Sequence, residues 1–263
     1  MIIESLLDRA LVAGVGVAAL AGMLGTLVLW RRMAYVSDAM GHGALVGVVL
    51  GMIIGIHDTV SVIVVAVLFG LFLARLSRDQ RLPFDAMLVV LSTGGLAGGL
   101  LLMNWLPTQQ IDVFSYLFGD ILSVRMSDVY LIYAVLAIEA FIIARFWRPL
   151  MRTILHPDTA EVEGVPVRQL NMLMMVMIAA TVAVAIQVVG VLLITALLVL
   201  PALAARSVAR TPGQMVMLSM TFAVAAAMLG VVLAGQWDTP VGPTVIVVAV
   251  AGFVVTRLLP ANA

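Results

Sequence analysis

Cysteine is absent from the 263-residue chain, which excludes disulfides and thiolate metal sites. Lysine is absent too, so all 14 basic residues are arginines. Charged residues make up 11% of the chain and apolar ones 63%. A soluble domain lies nearer to about 45–50% apolar and about 25% charged. A water-soluble fold of this length could not hide so much apolar surface. The net charge is zero, which makes nucleic acid an unsuitable partner. The dyad alternation of a membrane β-barrel is missing, as are low-complexity and linker-like stretches. No G-x-x-x-x-G-K-[ST] phosphate-binding loop occurs, so any ATP-driven work needs another subunit as its engine. The first residues, MIIESLLDRA, carry Glu4 and Asp8. A signal peptide wants a basic start, so this segment is expected to be retained.

What is present is a series of apolar runs. They fall at roughly 10–30, 34–56, 59–76, 84–106, 128–147, 170–188, 189–205, 214–235 and 241–258. About 20 helical residues cross a hydrocarbon core of about 30 Å. The stretch 170–205 is too long for one span and is interrupted by Gln187 and Gly190, so it is divided in two. The chain reads as an all-α, polytopic integral membrane protein with about nine transmembrane helices, in a single membrane domain spanning 1–263. Eight helices result if one run is re-entrant. The arginines support nine. Arg31, Arg32, Arg75, Arg78, Arg81, Arg145, Arg148, Arg152, Arg168, Arg206, Arg210 and Arg257 all fall on one side. Only Arg9 and Arg125 fall on the other, which carries His57, Asp58, Asp112, Asp120, Asp128 and Asp238. Basic residues collect on the cytoplasmic side of short loops. The expected topology is therefore N-terminus outside and C-terminus inside.

One stretch, VSDAMGHGALVGVVLG from Val36 to Gly51, places Asp38 and His42 in an otherwise apolar or small run. Four residues apart, they share one helix face. A helix starting just after Arg32 would put His42 about 15 Å along its axis, near the bilayer midplane. A central Asp costs about 2.5–3.5 kcal/mol on insertion scales, so the pair must face protein, water or an ion. An imidazole nitrogen with a carboxylate oxygen is half a shell for a first-row divalent metal. Gly41, Gly43, Ala44 and Gly47 leave room for another helix or a hydrated path. A hydrogen-bonded Asp–His pair that only fixes helix packing is the competing reading. Zinc usually takes four ligands, so a two-fold mate, water or distant residues must supply the rest.

Other polar residues in the runs have plainer readings. Glu139 reads as a carboxyl bonded to a neighbouring helix, or as a functional group. Asp85 suits a helix cap. Ser92, Thr93 and Gly94, Gly95, Gly98 and Gly99 read as a close-packing face. His57 and Asp58 read as an outer turn, and His156 as a solvated loop residue. The methionines suit adaptable packing. In the inner loop HPDTAEVEG, Pro157 suits a helix start and Gly164 a stop. The outer aromatics Phe114, Tyr116 and Phe118 suit an interfacial helix. Near the inner end of the seventh run, Pro201 is followed by alanines and by Arg206 and Arg210. That segment is either an ordinary helix end or a docking element, where small residues admit a partner and arginines grip it.

Several long motifs, in order along nearly the whole chain, carry a resemblance. WRRMAYVSDAMGHGALVGVVLG looks like a W-R-R-M-S-Y…D-x-x-x-H-A pattern. DVFSYLFGDILSV, EVEGVPVRQLNML, VGVLLITALLVLPALAARSVARTP and WDTPVGPTVIV complete it. The chain resembles the membrane permease subunit of bacterial ABC importers for zinc and manganese, its zinc-uptake branch in particular. The resemblance implies a multi-pass protein of the bacterial inner membrane, a transport subunit and not an enzyme. It implies a homodimer with two cytoplasmic ATPase subunits and a periplasmic metal-binding protein. Zn²⁺ would be the transported substrate, with no permanently bound cofactor. The D-x-x-x-H positions, Asp38 and His42, would bind the ion on its path. The stretch from Pro201 to Gly213, with Arg206, Arg210, Thr211 and Pro212, would contact the ATPase. Two departures stand out: Gly41 and Gly43 replace the family's Ser or Ala, and Thr93 stands where many relatives have histidine. From the residues alone zinc, manganese and iron remain open. A secondary, proton-coupled metal carrier with Glu139 as its proton site is the alternative. An intramembrane enzyme lacks a convincing nucleophile.

Overall fold

The computed structural model describes residues 6–55, 58–76, 83–104, 113–119 and 121–258. Every regular element among them is helical. In chain order they are α1 (Leu6–Trp30), α2 (Val36–Ile54), α3 (Asp58–Leu76), α4 (Phe84–Asn104), α5 (Val113–Phe118), a 3₁₀ turn (Ile121–Ser123), α6 (Met126–Leu155), α7 (Pro157–Val162), α8 (Val167–Val208), α9 (Pro212–Trp237) and α10 (Val241–Leu258). Seven of these helices, α1, α2, α4, α6, α8, α9 and α10, are long and apolar enough to cross a membrane. The apolar part of α3, Val60–Leu76, is shorter. The protein is a polytopic helical membrane protein. Hydrocarbon offers backbone groups no water, so each spanning segment must pair its own. That is why runs rich in Val and Ile are helical here. Val90 and Leu101 on α4, Phe141 on α6 and Val247 on α10 are exposed. Such apolar faces suit lipid and not water.

Two helices are interrupted. α8 has 42 residues, and Gly190 adopts φ 74° and ψ 170° within it. That conformation is open essentially to glycine alone, and it separates residues 167–189 from 191–208. α6 bends at Phe146 (φ −108°, ψ 19°), three residues before Pro149, whose ring removes a backbone donor and crowds the preceding turn. Between α1 and α2 the chain turns through Arg32 at φ 56°. α2 therefore begins at Val36, not directly after Arg32.

The chain forms two compact units. One comprises Met1–Ala34, Val113–Leu136 and Ala185–Ala263, and the other Tyr35–Asp112 and Ala137–Val184. In the first, α1 packs on α9 and α9 on α10. A methyl at Gly22 would lie 2.7 Å from Met220 Cα, and one at Gly25 would overlap the Leu198 carbonyl. In the second, α2 packs on α3 and α4. Gly47 meets the Val65 side chain and Gly95 meets the Gly43 backbone. Small residues thus let backbones approach, as packing between helices in lipid requires. Glu4, His57, Arg78, Arg81, Asp112 and Asp120, singled out in the sequence, lie outside the described residues.

Candidate functional site

Asp38 lies in the first turn of α2, where a carboxylate is favoured by the helix dipole. His42 follows one turn later on the same face. The tight turn through Arg32 uses up residues that were expected to be helical. His42 therefore lies about 9 Å from the helix start at 1.5 Å per residue, closer than the sequence reading put it. The two side chains approach to 3.6 Å between His42 Nδ1 and Asp38 Oδ2. They are joined by a third residue. Ser92 Oγ, on α4, donates a hydrogen bond to Asp38 Oδ2 and lies 2.7 Å from His42 Nδ1.

Glycine brings α4 close enough for this bridge. A methyl at Gly95 would lie 3.0 Å from Gly43 N and 3.1 Å from the His42 carbonyl carbon, and one at Gly99 would lie 2.7 Å from the Leu45 side chain. Gly94 and Gly98 would meet nothing within 4 Å. The close-packing face is thus Ser92, Gly95 and Gly99. Thr93 is exposed, and its hydroxyl returns to the carbonyls of Val89 (2.9 Å) and Val90 (3.2 Å). Sequence reasoning placed Ser92 among packing residues and did not foresee its link to Asp38 and His42. Its one signal was a polar side chain beside a G-G pair in an apolar run.

The His42 side chain is 15% exposed and that of Asp38 28%, so the pair keeps an open side. Among the described residues, His42 Nε2 and Asp38 Oδ1 have no hydrogen-bond partner. No group of three or more His, Cys, Asp or Glu side chains occurs among those residues. One copy of the chain therefore offers one imidazole and one carboxylate to a cation, with the serine hydroxyl behind them.

Glu139 on α6 has a different setting. It is buried, and its two oxygens lie 3.1 and 2.9 Å from Thr181 Oγ1 on α8. This is the arrangement of a carboxyl bonded to a neighbouring helix.

The residues read as a docking element divide by exposure. Pro201 is buried within α8, whereas Arg206, Arg210, Thr211 and Pro212 are exposed. Thr211 and Pro212 also start α9. Thr211 Oγ1 accepts from Gln214 N at 3.2 Å, and Pro212 occupies the first turn. The Gln214 side chain accepts from Arg210 N at 3.1 Å, which ties the residue before the cap to the first turn of α9. Beside them is an open depression of about 530 Å³ lined by Val208, Arg210, Gly213, Gln214, Met217 and Leu218. The loop HPDTAEVEG forms α7, with Ala160 buried and Val162 89% exposed. An Arg152–Glu163 ion pair of 3.2 Å ties its end to α6.

In α5, Tyr116 is buried, and Phe118 faces a cavity of about 260 Å³. Gly119, Val189, Thr239, Pro240 and Gly242 also line that cavity. Of the expected interfacial aromatics, Tyr116 is packed inward and Phe118 is exposed, and the Phe114 side chain lies outside those described.

Comparison with known proteins adds relatives. The profile of the family described as "ABC 3 transport family" matches residues 4–259. The "High-affinity zinc uptake system membrane protein ZnuB" of Haemophilus influenzae is 30% identical, covering 95% of this chain and 96% of that protein. The "Manganese transport system membrane protein MntC" of Halalkalibacterium halodurans is 28% identical, covering 93% of this chain and 84% of that protein. Among solved structures, "PsaBC from Streptococcus pneumoniae in complex with Fab" superimposes with a TM-score of 0.87 at 28% identity. That match covers 98% of this chain and 93% of the other.

Proposed function

The chain belongs to the ABC 3 transport family, and from that membership we propose that it is the membrane-spanning permease subunit of an ATP-driven importer moving zinc inward across a bacterial inner membrane. It is a transport component and not an enzyme. With no phosphate-binding loop in the chain, ATP is hydrolysed by a partner. The assembly has two copies of this subunit, two cytoplasmic ATPase subunits and a periplasmic protein that delivers the metal. The imidazole–carboxylate pair suits zinc, manganese and iron alike, and zinc is favoured by the likeness to the H. influenzae zinc-uptake protein over nearly its full length.

The observation that carries the reading is the ionisable pair on α2, Asp38 and His42, open to one side and backed by Ser92. Two copies supply two nitrogens and two oxygens, the number a tetrahedral zinc takes. The site must exchange its ligands, because an ion held too tightly does not leave. Transport then proceeds by alternating access. ATP shifts the balance between outward- and inward-open states by binding one of them better. The proton-coupled alternative finds no support in Glu139, which is enclosed and bonded to Thr181.

The nine-span topology, N-terminus outside, is part of the proposal. The break at Gly190 makes α8 two spans, and α3 adds a short one. Residues near 119, 190 and 240 line one cavity. Nine spans put all three on the outer side, where a periplasmic protein docks. The two compact units interleave along the chain, so the chain is taken as one permease domain. On the inner side the exposed arginines Arg206 and Arg210, with the depression beside them, face the ATPase. α7, with exposed Val162, is a second contact.

The test is zinc-limited growth and zinc uptake by cells carrying Asp38→Ala or His42→Ala. Both are expected to lose uptake while the subunit remains in the membrane, and normal uptake in both removes the site. In the same strains, Arg206→Glu with Arg210→Glu is expected to release the ATPase on purification. Retention removes the docking role.

A further inference from the structure

The contacts of Ser92 determine where the proton of His42 sits. A serine hydroxyl has one hydrogen, and an ionised carboxylate has none to give. The Ser92 hydrogen is committed to Asp38 Oδ2. The 2.7 Å contact between the same oxygen and His42 Nδ1 therefore draws its hydrogen from the ring. With Nδ1 protonated, a neutral imidazole carries its lone pair on Nε2.

Resting on the reading that Asp38 and His42 hold the transported ion, we propose that Ser92 is a positioning residue for that site: it fixes the His42 tautomer that offers Nε2 to metal. Through the same hydroxyl it occupies Asp38 Oδ2, which leaves Oδ1 as the carboxylate's free oxygen. A ligating histidine generally gives its other N–H to an acceptor, which holds the ring and sets the tautomer. Here the acceptor is a hydroxyl on another helix. It is in turn held by the carboxylate that shares the ion, so one side chain sets both ligands. The opposite tautomer would place the lone pair on Nδ1, facing Ser92, and the proton on the nitrogen the ion needs.

Three features keep the bridge in place. Ser92 is buried, with 5% exposure. α4 is seated on α2 through Gly95 and Gly43. Thr93 is bonded to its own helix and offers no substitute hydroxyl.

The test uses the full chain, labelled with ¹⁵N-histidine and assembled with its ATPase in lipid nanodiscs, free of metal and at alkaline pH. The chain has three histidines, and the His42 signals are those lost in His42→Gln. The expected spectrum has a protonated Nδ1 and an unprotonated Nε2. Ser92→Ala is expected to shift His42 towards the Nε2–H form. It is also expected to raise the zinc concentration for half-maximal uptake about 10-fold, the size typical of lost outer-shell partners. Ser92→Thr, which keeps the hydroxyl, is expected to restore both. An Nε2–H ring in the native protein, or an unchanged tautomer in Ser92→Ala, overturns the inference. Such a result leaves the uptake defects of Asp38→Ala and His42→Ala standing. Normal uptake in those two variants, with the tautomer shift as expected, overturns the ion-binding reading instead.

Discussion

Gly95 and Gly94 are neighbours with opposite surroundings. A side chain at Gly95 meets the backbone of Gly43 and His42 at 3.0–3.1 Å, and one at Gly94 meets nothing within 4 Å. Backbone atoms cannot rotate away as a side chain can, so α4 itself must move. Gly95→Val is expected to lift α4 from α2, separate Ser92 from His42 and cost about 1–3 kcal/mol. Lower thermal stability of the purified subunit and lost zinc uptake would show it. Gly94→Val is expected to leave both close to native, and equal behaviour of the two variants refutes the tight approach as the basis of the site. Asp38 and His42 could be read from the sequence because a separation of four is a property of one helix. Ser92 could not, since it lies 50 residues from His42 and no spacing rule says which face of α4 meets α2. Ser92 and Thr93 look alike in a sequence, yet a helix turns about 100° between them. One hydroxyl enters the site and the other returns to its own backbone.

At the scale of elements, α8 carries the main lesson. Its 42 residues would form a rod of about 63 Å at 1.5 Å each, roughly twice the hydrocarbon thickness. Excess length and the glycine made the division legible in the sequence. The start of α2 was less so, because an arginine in the left-handed region gives no compositional sign. At Gly190 a methyl would also overlap the backbone nitrogen of Gly119. Gly119 itself has φ 77°, and a methyl there would overlap the Val189 carbonyl carbon. The end of α5 and the break in α8 are therefore built against each other. Gly190→Ala is expected to destabilise by at least about 3 kcal/mol, combining backbone strain and overlap. Gly252→Ala on α10 meets nothing within 4 Å and is expected to be neutral or mildly stabilising. Thermal unfolding of the two variants in detergent checks the contrast. Similar stability in both would mean that the break is not needed.

For the whole molecule, the number of crossings made by α8 decides the topology. Val162 lies at the end of α7 and Val208 at the end of α8, and both are exposed. If α8 crosses twice, residues 162 and 208 share a side. If it crosses once, they lie on opposite sides and the count falls to eight. Gln236, exposed at the end of α9, is one further crossing away and must lie opposite Val208. The arginines argue for two crossings, since Arg152, Arg168, Arg206 and Arg210 then meet on one face. Because the chain has no cysteine, single cysteines can be introduced without background. In intact spheroplasts expressing the full chain, a membrane-impermeant maleimide is expected to label Gln236→Cys. Val162→Cys and Val208→Cys are expected to react only after permeabilisation. Labelling of 162 and 208 from different sides would make α8 a single span. The arginine segregation would then be coincidence, because one crossing fewer between Arg152 and Arg206 moves every later basic residue across the membrane. Labelling of 162 and 208 from outside, with 236 protected, would keep nine spans and reverse them. That would move the Arg206 and Arg210 face away from any cytoplasmic ATPase. The two outcomes therefore test separate physical claims: the first, that a glycine break turns one long apolar helix into two spans; the second, that arginine placement sets their direction.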